Sequence, residues 1–99
     1  MSTAPAIASE KTAGGVRVAL AGGWTVDAGA LLEKRADALL TLAGGARAAA
    51  IDLSQVEIMD TAGAWLIDRS RQSLAARGVE ATIVGARPEH AILLRAAHY

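Results

Sequence analysis

The chain has 99 residues, 53% of them apolar, with ten basic and ten acidic side chains and no cysteine. That length supports one core and not two self-supporting halves, and the zero formal net charge leaves no broad attraction for nucleic acid or an anionic membrane surface. Without cysteine there are no disulfides and no thiolate chemistry, and a reducing, cytoplasmic setting is the plain expectation.

Met1 to Ser9 is rich in Ala, Ser and Thr and lacks the basic start and long apolar stretch of a signal peptide, so residues 1–9 are expected to be loose. A weak strand is expected near Ala6 to Lys11. Val16-Arg17-Val18-Ala19-Leu20 alternates with period two between Gly14-Gly15 and Gly22-Gly23, as a half-buried strand between turns should. Asp27 is placed to cap a helix from about Ala28 to Ala43, with Ala28, Leu31, Leu32, Leu39 and Leu42 as its apolar stripe and Gly44-Gly45 ending it. Ala48 to Leu53, interrupted only by Asp52, reads as a central strand covered on both faces.

Asp60 or Thr61 then caps a helix to about Arg77 that Gly78 closes. Val79 to Val84 is another short strand, and Pro88 opens a last helix over Glu89 to His98. No run approaches the roughly 18 apolar residues of a membrane-crossing helix, so no insertion in a membrane is expected. The pattern predicts one α/β domain over residues 1–99: a mixed, mainly parallel sheet of four to five strands with three to four helices packed on it.

The helix after Asp60 carries the functional signal. Met59, Gly63, Leu66, Ile67, Ser70 and Leu74 share the face expected to meet the sheet. Trp65 falls almost opposite, with Thr61, Asp68, Arg69 and Gln72 on its side. An outward Trp beside a helix N-terminus has the form of a partner-binding hot spot, since it offers much contact area for little rotamer entropy. The alternative is packing under a loop or against the last helix. Thr61 is open to two readings as well: capping of free amides, or a hydroxyl where an added phosphate would meet those amides and the helix dipole.

Ile51-Asp52-Leu53-Ser54-Gln55-Val56-Glu57-Ile58-Met59-Asp60-Thr61-Ala62-Gly63-Ala64-Trp65-Leu66 resembles the STAS domain pattern, a buried strand ending in Asp-Leu-Ser, a short loop, then Asp-Ser/Thr-x-Gly opening a helix. The order of elements fits the same family over nearly the whole chain. The resemblance implies a non-enzymatic interaction module without a cofactor. It allows an anti-sigma factor antagonist phosphorylated by a partner kinase, here at Thr61, or a STAS segment of an Mla-type lipid ABC transporter docking on the ATPase or permease. Ala62 removes the second hydroxyl common in antagonists. Gly23-Trp24-Thr25, Ala64-Trp65-Leu66 and Arg69 look like the STAS segments fused ahead of Mla-type permeases, and the chain is then expected to be the N-terminal part of a longer protein. The partner-binding set implied is Asp60, Thr61, Ala62, Gly63, Trp65, Asp68, Arg69 and Gln72.

Catalysis has weak support. Asp52, Glu57 and Asp60 lie near one strand end as a receiver-type magnesium site would, but the only lysines are Lys11 and Lys34, and no acidic pair follows the first strand. Asp52 reads more simply as bonding turn amides. His90 and His98 are eight apart, not the four of a helical metal pair, and are expected in solvent. The three Gly-Gly pairs lack the Gly-Lys-Ser/Thr ending of a phosphate loop.

Overall fold

Val16, Val18 and Leu20 point to one side of a strand and are buried, so this strand sits at the centre of the structure. The computed structural model describes residues 3–97. It holds four strands, β1 (Ala6–Thr12), β2 (Gly15–Trp24), β3 (Ala48–Met59) and β4 (Glu80–Val84), and three α-helices, α1 (Ala30–Ala43), α2 (Thr61–Ala76) and α3 (Pro88–Ala96). The sheet order is β1-β2-β3-β4, with β1 antiparallel to β2 and the other two pairs parallel. The chain is therefore a small α/β domain with a mixed, mainly parallel sheet. His98, the end of the last expected helix, lies outside the described residues, as do Tyr99 and, at the start of the expected loose segment, Met1 and Ser2.

Several expectations need correction. Ala6 to Ser9 are not loose, because their backbone pairs with Val18 to Ala21 in an otherwise exposed edge strand. The weak strand expected near Ala6 to Lys11 is β1, Ala6–Thr12, and it overlaps the segment expected to be loose. Gly22 and Gly23 are not a turn but the inner end of β2. Gly22 has φ +79°, and a Cβ there would stand 2.3 Å from the Ala4 carbonyl oxygen, so glycine is needed for the close pass of the N-terminal segment. This continuation carries Trp24 into the core, fully buried, with its indole N–H donating to the Ala21 carbonyl at 3.1 Å.

β3 runs six residues past Leu53. Relative to β2 it gains a residue between Asp52 and Gln55 and another between Val56 and Ile58. The inward positions are therefore Leu53, Val56 and Met59, three apart, with exposed residues between. A period of three hides a strand from any search for alternation. β3 is also not covered on both faces: Ala49, Ile51 and Leu53 meet the helices, whereas the face carrying Ala48, Ala50 and Asp52 has no helix on it.

Helices α1 and α2 lie side by side against the other face, and α3 packs on α2. Asp27 does not cap α1. It lies in a 3-10 turn (Val26–Ala28), and Gly29 takes the cap position without any side-chain bond. The later start rotates the inward stripe to Leu32, Ala36, Leu39 and Ala43, and Leu42 turns outward, 41% exposed. On α2 the expected inward set of Gly63, Leu66, Ile67, Ser70 and Leu74 is buried, together with Ala64 and Asp68. Ser70 donates to the Leu66 carbonyl at 2.8 Å and reaches the Ala36 carbonyl of α1 at 3.5 Å, so its hydroxyl is satisfied in the helix interface.

The first turn of α2 sits directly on the end of β2. A Cβ on Gly63 would stand 1.9 Å from the Trp24 carbonyl oxygen and 2.8 Å from its carbon, and neither backbone atom can yield alone. Gly→Ala inside a helix normally stabilises it by about 1 kcal/mol. At this position the sign should reverse: Gly63→Ala is expected to cost about 1–3 kcal/mol through overpacking, or about 4–8 °C in Tm per kcal/mol for a domain of this size. Gly45→Ala, with nothing within 4 Å, is the control that should change little. Urea unfolding of both variants checks this.

Candidate functional site

The site grows from a helix start that must satisfy its own free amides. Asp60 is the N-cap of α2, in extended conformation at φ −112°, and its Oδ1 accepts from the Gly63 amide at 3.0 Å. Its Oδ2 accepts from the Val26 amide at 2.8 Å, and its own N–H donates to the Trp24 carbonyl at 3.3 Å. One residue thus ties the end of β2, the 3-10 turn and α2 together. Asp60, not Thr61, is the cap, which leaves the exposed Thr61 as the first residue of the helix. Ala62 is half-buried and Gly63 fully buried.

Trp65 is 38% exposed on the outer side of α2, one turn beyond Thr61. The Arg69 guanidinium lies 5.3 Å from the centre of the indole ring. From there it reaches across to α1, to Glu33 at 3.7 Å and Asp37 at 4.0 Å. Between the helices is an open groove of about 470 Å³, lined by Glu33, Thr61, Ala62, Trp65 and Leu66. The structure therefore brings Thr61, Ala62 and Trp65 to one groove on the α1 side, with Arg69 beside it over the Trp65 ring.

Asp68 does not belong to that set. It is 5% exposed and turned to the other flank, where its Oδ1 accepts from Arg71 at 2.9 and 3.1 Å and its Oδ2 from Gln72 at 2.8 Å. Gln72 is thereby drawn to Asp68 and away from the groove. At 100° per residue Asp68 and Arg69 leave the helix on opposite sides of Trp65, which a coarse division into inner and outer faces conceals. Two neighbours that the sequence reading omits are Val26, 65% exposed beside the Asp60 carboxylate, and Ile58, 48% exposed. Val26 opens the 3-10 turn just after β2 and Ile58 is near the end of β3, beside the start of α2. Ile58 is turned out by a bulge, and a bulge leaves no sequence mark that periodicity could find.

The acidic trio is dispersed. Glu57 accepts from the Thr3 hydroxyl at 3.0 Å, Asp60 is occupied as the cap, and Asp52 lies on the sheet face without helices. Among the described residues no three His, Asp or Glu side chains gather as metal ligands. Asp52 is not at a strand end; it sits within β3, where its Oδ1 accepts from the Ser54 amide at 3.0 Å across the first bulge and its Oδ2 pairs with Arg17 of β2. The Ser54 amide, with the Ser54 hydroxyl and Arg17, holds its carboxyl below the ordinary 3.8, against a desolvation that acts the other way. His90 also departs from expectation. It is buried on α3 rather than solvated, and no hydrogen bond reaches its Nδ1.

The profile of the STAS domain matches residues 10–99. No curated protein matches the sequence significantly.

The Asp52 clasp sets a pH dependence with a definite sign. A carboxyl whose pKa is depressed on folding contributes stability above its unfolded value, near 3.9, and that contribution is lost as pH falls through the lowered folded value. Asp52→Asn can keep the Ser54 bond but loses the charge. It is expected to lower stability at neutral pH and to flatten the loss of stability below about pH 4, as measured by urea midpoints across pH 2.5–7.

Proposed function

The chain belongs to the STAS domain family, and on that premise we propose that it is a non-enzymatic regulatory or assembly module of an Mla-type lipid ABC transporter, docking on the ATPase or permease through the groove at the start of α2. STAS membership makes it a protein-interaction or regulatory module. The observation that carries the finer reading is the Trp65–Arg69 pair: a half-exposed indole braced by a guanidinium over a groove. A large aromatic anchor held beside a recess has the make-up of an interface hot spot. Trp65 and Arg69 are also the residues in which the sequence looks like Mla-type STAS segments. Gly23-Trp24-Thr25 adds less to the docking argument, because Trp24 is a core side chain. No helix among the described residues is long and apolar enough to cross a membrane.

Thr61 supports a second reading, an anti-sigma factor antagonist. Its side chain is exposed at the rim of the same groove. A phosphate there would stand at a helix N-terminus that favours it and beside the Asp60 carboxylate that does not. A partner seated on the groove would meet about two added charges.

Trp65→Ala is expected to weaken the complex with the cognate ATPase or permease by about 30-fold in Kd, the equivalent of about 2 kcal/mol at a hot spot. Ala62→Gln fills the groove with a good helix former and should weaken binding while the circular dichroism spectrum and Tm stay near wild type. Normal binding by both variants would rule out this surface. The antagonist reading instead expects labelled phosphate at Thr61 from the cognate kinase and release of the partner by Thr61→Glu; an unlabelled Thr61 would contradict it.

A further inference from the structure

The α1 edge of the groove is acidic: Glu33 lines it and Asp37 follows one turn on. Glu33 and Asp37 stand one turn apart on α1, with side chains 64% and 66% exposed, on the flank that faces α2. The cations nearby are turned elsewhere: Arg35 donates to the Pro5 carbonyl on the β1 side, Arg71 is bound to Asp68, and Lys34 falls on the back of α1, a hundred degrees from Glu33. Among the described residues Arg69 alone answers Glu33 and Asp37, at 3.7 and 4.0 Å, and pairs this long to exposed carboxylates hold little energy. Its stacking on Trp65 gives it a place to stay when another cation takes those carboxylates.

We propose that the groove takes an α-helix of the partner protein that presents a large apolar side chain to Ala62, Trp65 and Leu66 and basic side chains, one turn apart, to Glu33 and Asp37. This rests on the docking reading above and specifies the occupant by charge complementarity. A recess between two helices accepts an amphipathic helix by its i, i+3, i+4 anchors. The matching i, i+4 spacing of Glu33 and Asp37 fixes where its lysines or arginines must fall. An acidic helix would place like charges against this rim and be rejected.

The test uses two synthetic 18-residue amphipathic helical peptides with the same leucine row, one flanked by lysines and one by glutamates, titrated into the isotopically labelled 99-residue chain at low salt. The lysine peptide is expected to shift the Thr61, Leu66 and Trp65 indole resonances and to bind at least tenfold tighter than the glutamate peptide. The double variant Glu33→Lys/Asp37→Lys, altered only at exposed positions, should erase or invert that preference. Equal binding of both peptides, no binding of either, or a preference unchanged by the double variant overturns the proposal. If both peptides bind without a charge preference and Trp65→Ala weakens them, the docking surface stands and only the charge rule falls. If Trp65→Ala leaves binding of the lysine peptide intact, the docking reading itself fails.

Discussion

Everything at the working end of this domain depends on how closely α2 can approach β2. Gly63 lies against the Trp24 carbonyl with no room for a methyl group, and Asp60 bonds both the Gly63 and the Val26 amides. The two features act together. Without the close approach the carboxylate could not span the helix and the 3-10 turn, and without the carboxylate the first turn of α2 would lack a partner for the Gly63 amide. The Asp-x-x-Gly spacing of the family motif is thus first a packing device. It fixes the helix axis, and the axis determines that Thr61 and Trp65 open outward while Leu66, Ile67, Ser70 and Leu74 close on the core.

That division of labour separates the two tryptophans. Trp24 completes the core under the latch, with its indole N–H satisfied by the Ala21 carbonyl, and Trp65 covers one side of an open groove with Arg69 stacked near it. One is wholly buried and the other is partly exposed. The sheet face that carries Asp52, by contrast, is small-chained and clasped by Arg17 and Ser54, which leaves its charge already neutralised within the chain.

The fold class could be read from the sequence because alternation in Val16–Leu20, the alanine-rich helix before Gly44 and the apolar run into Asp52 each follow a standard period. What escaped followed no period. β3 keeps strand geometry through two bulges, so its inward residues recur every three positions, and Ile58 emerges where a loop was expected. Gly22-Gly23 carry the punctuation of a turn but serve a close backbone pass within a strand. Asp60 and Thr61 offer the same capping chemistry in sequence, and only the structure separates them; the second bond of Asp60, to Val26, joins residues 34 apart and leaves no sequence mark. Asp68 shows the limit of assigning faces, since a residue near the boundary is decided by its partners, here Arg71 and Gln72. Glu33 and Asp37 could not be placed beside Trp65 without knowing how α1 lies on α2.

The central claim is that a protein partner engages the groove between α1 and α2 and not the open sheet face. The most direct measurement is an amide exchange map of the chain bound to the ABC ATPase proposed as its partner, compared with the free chain. The account predicts new protection over Thr61 to Arg69 and around Glu33 and Asp37, with Ala8, Ala50 and Thr82 unchanged. Protection confined to those sheet residues, with α2 exchanging as in the free chain, would contradict it.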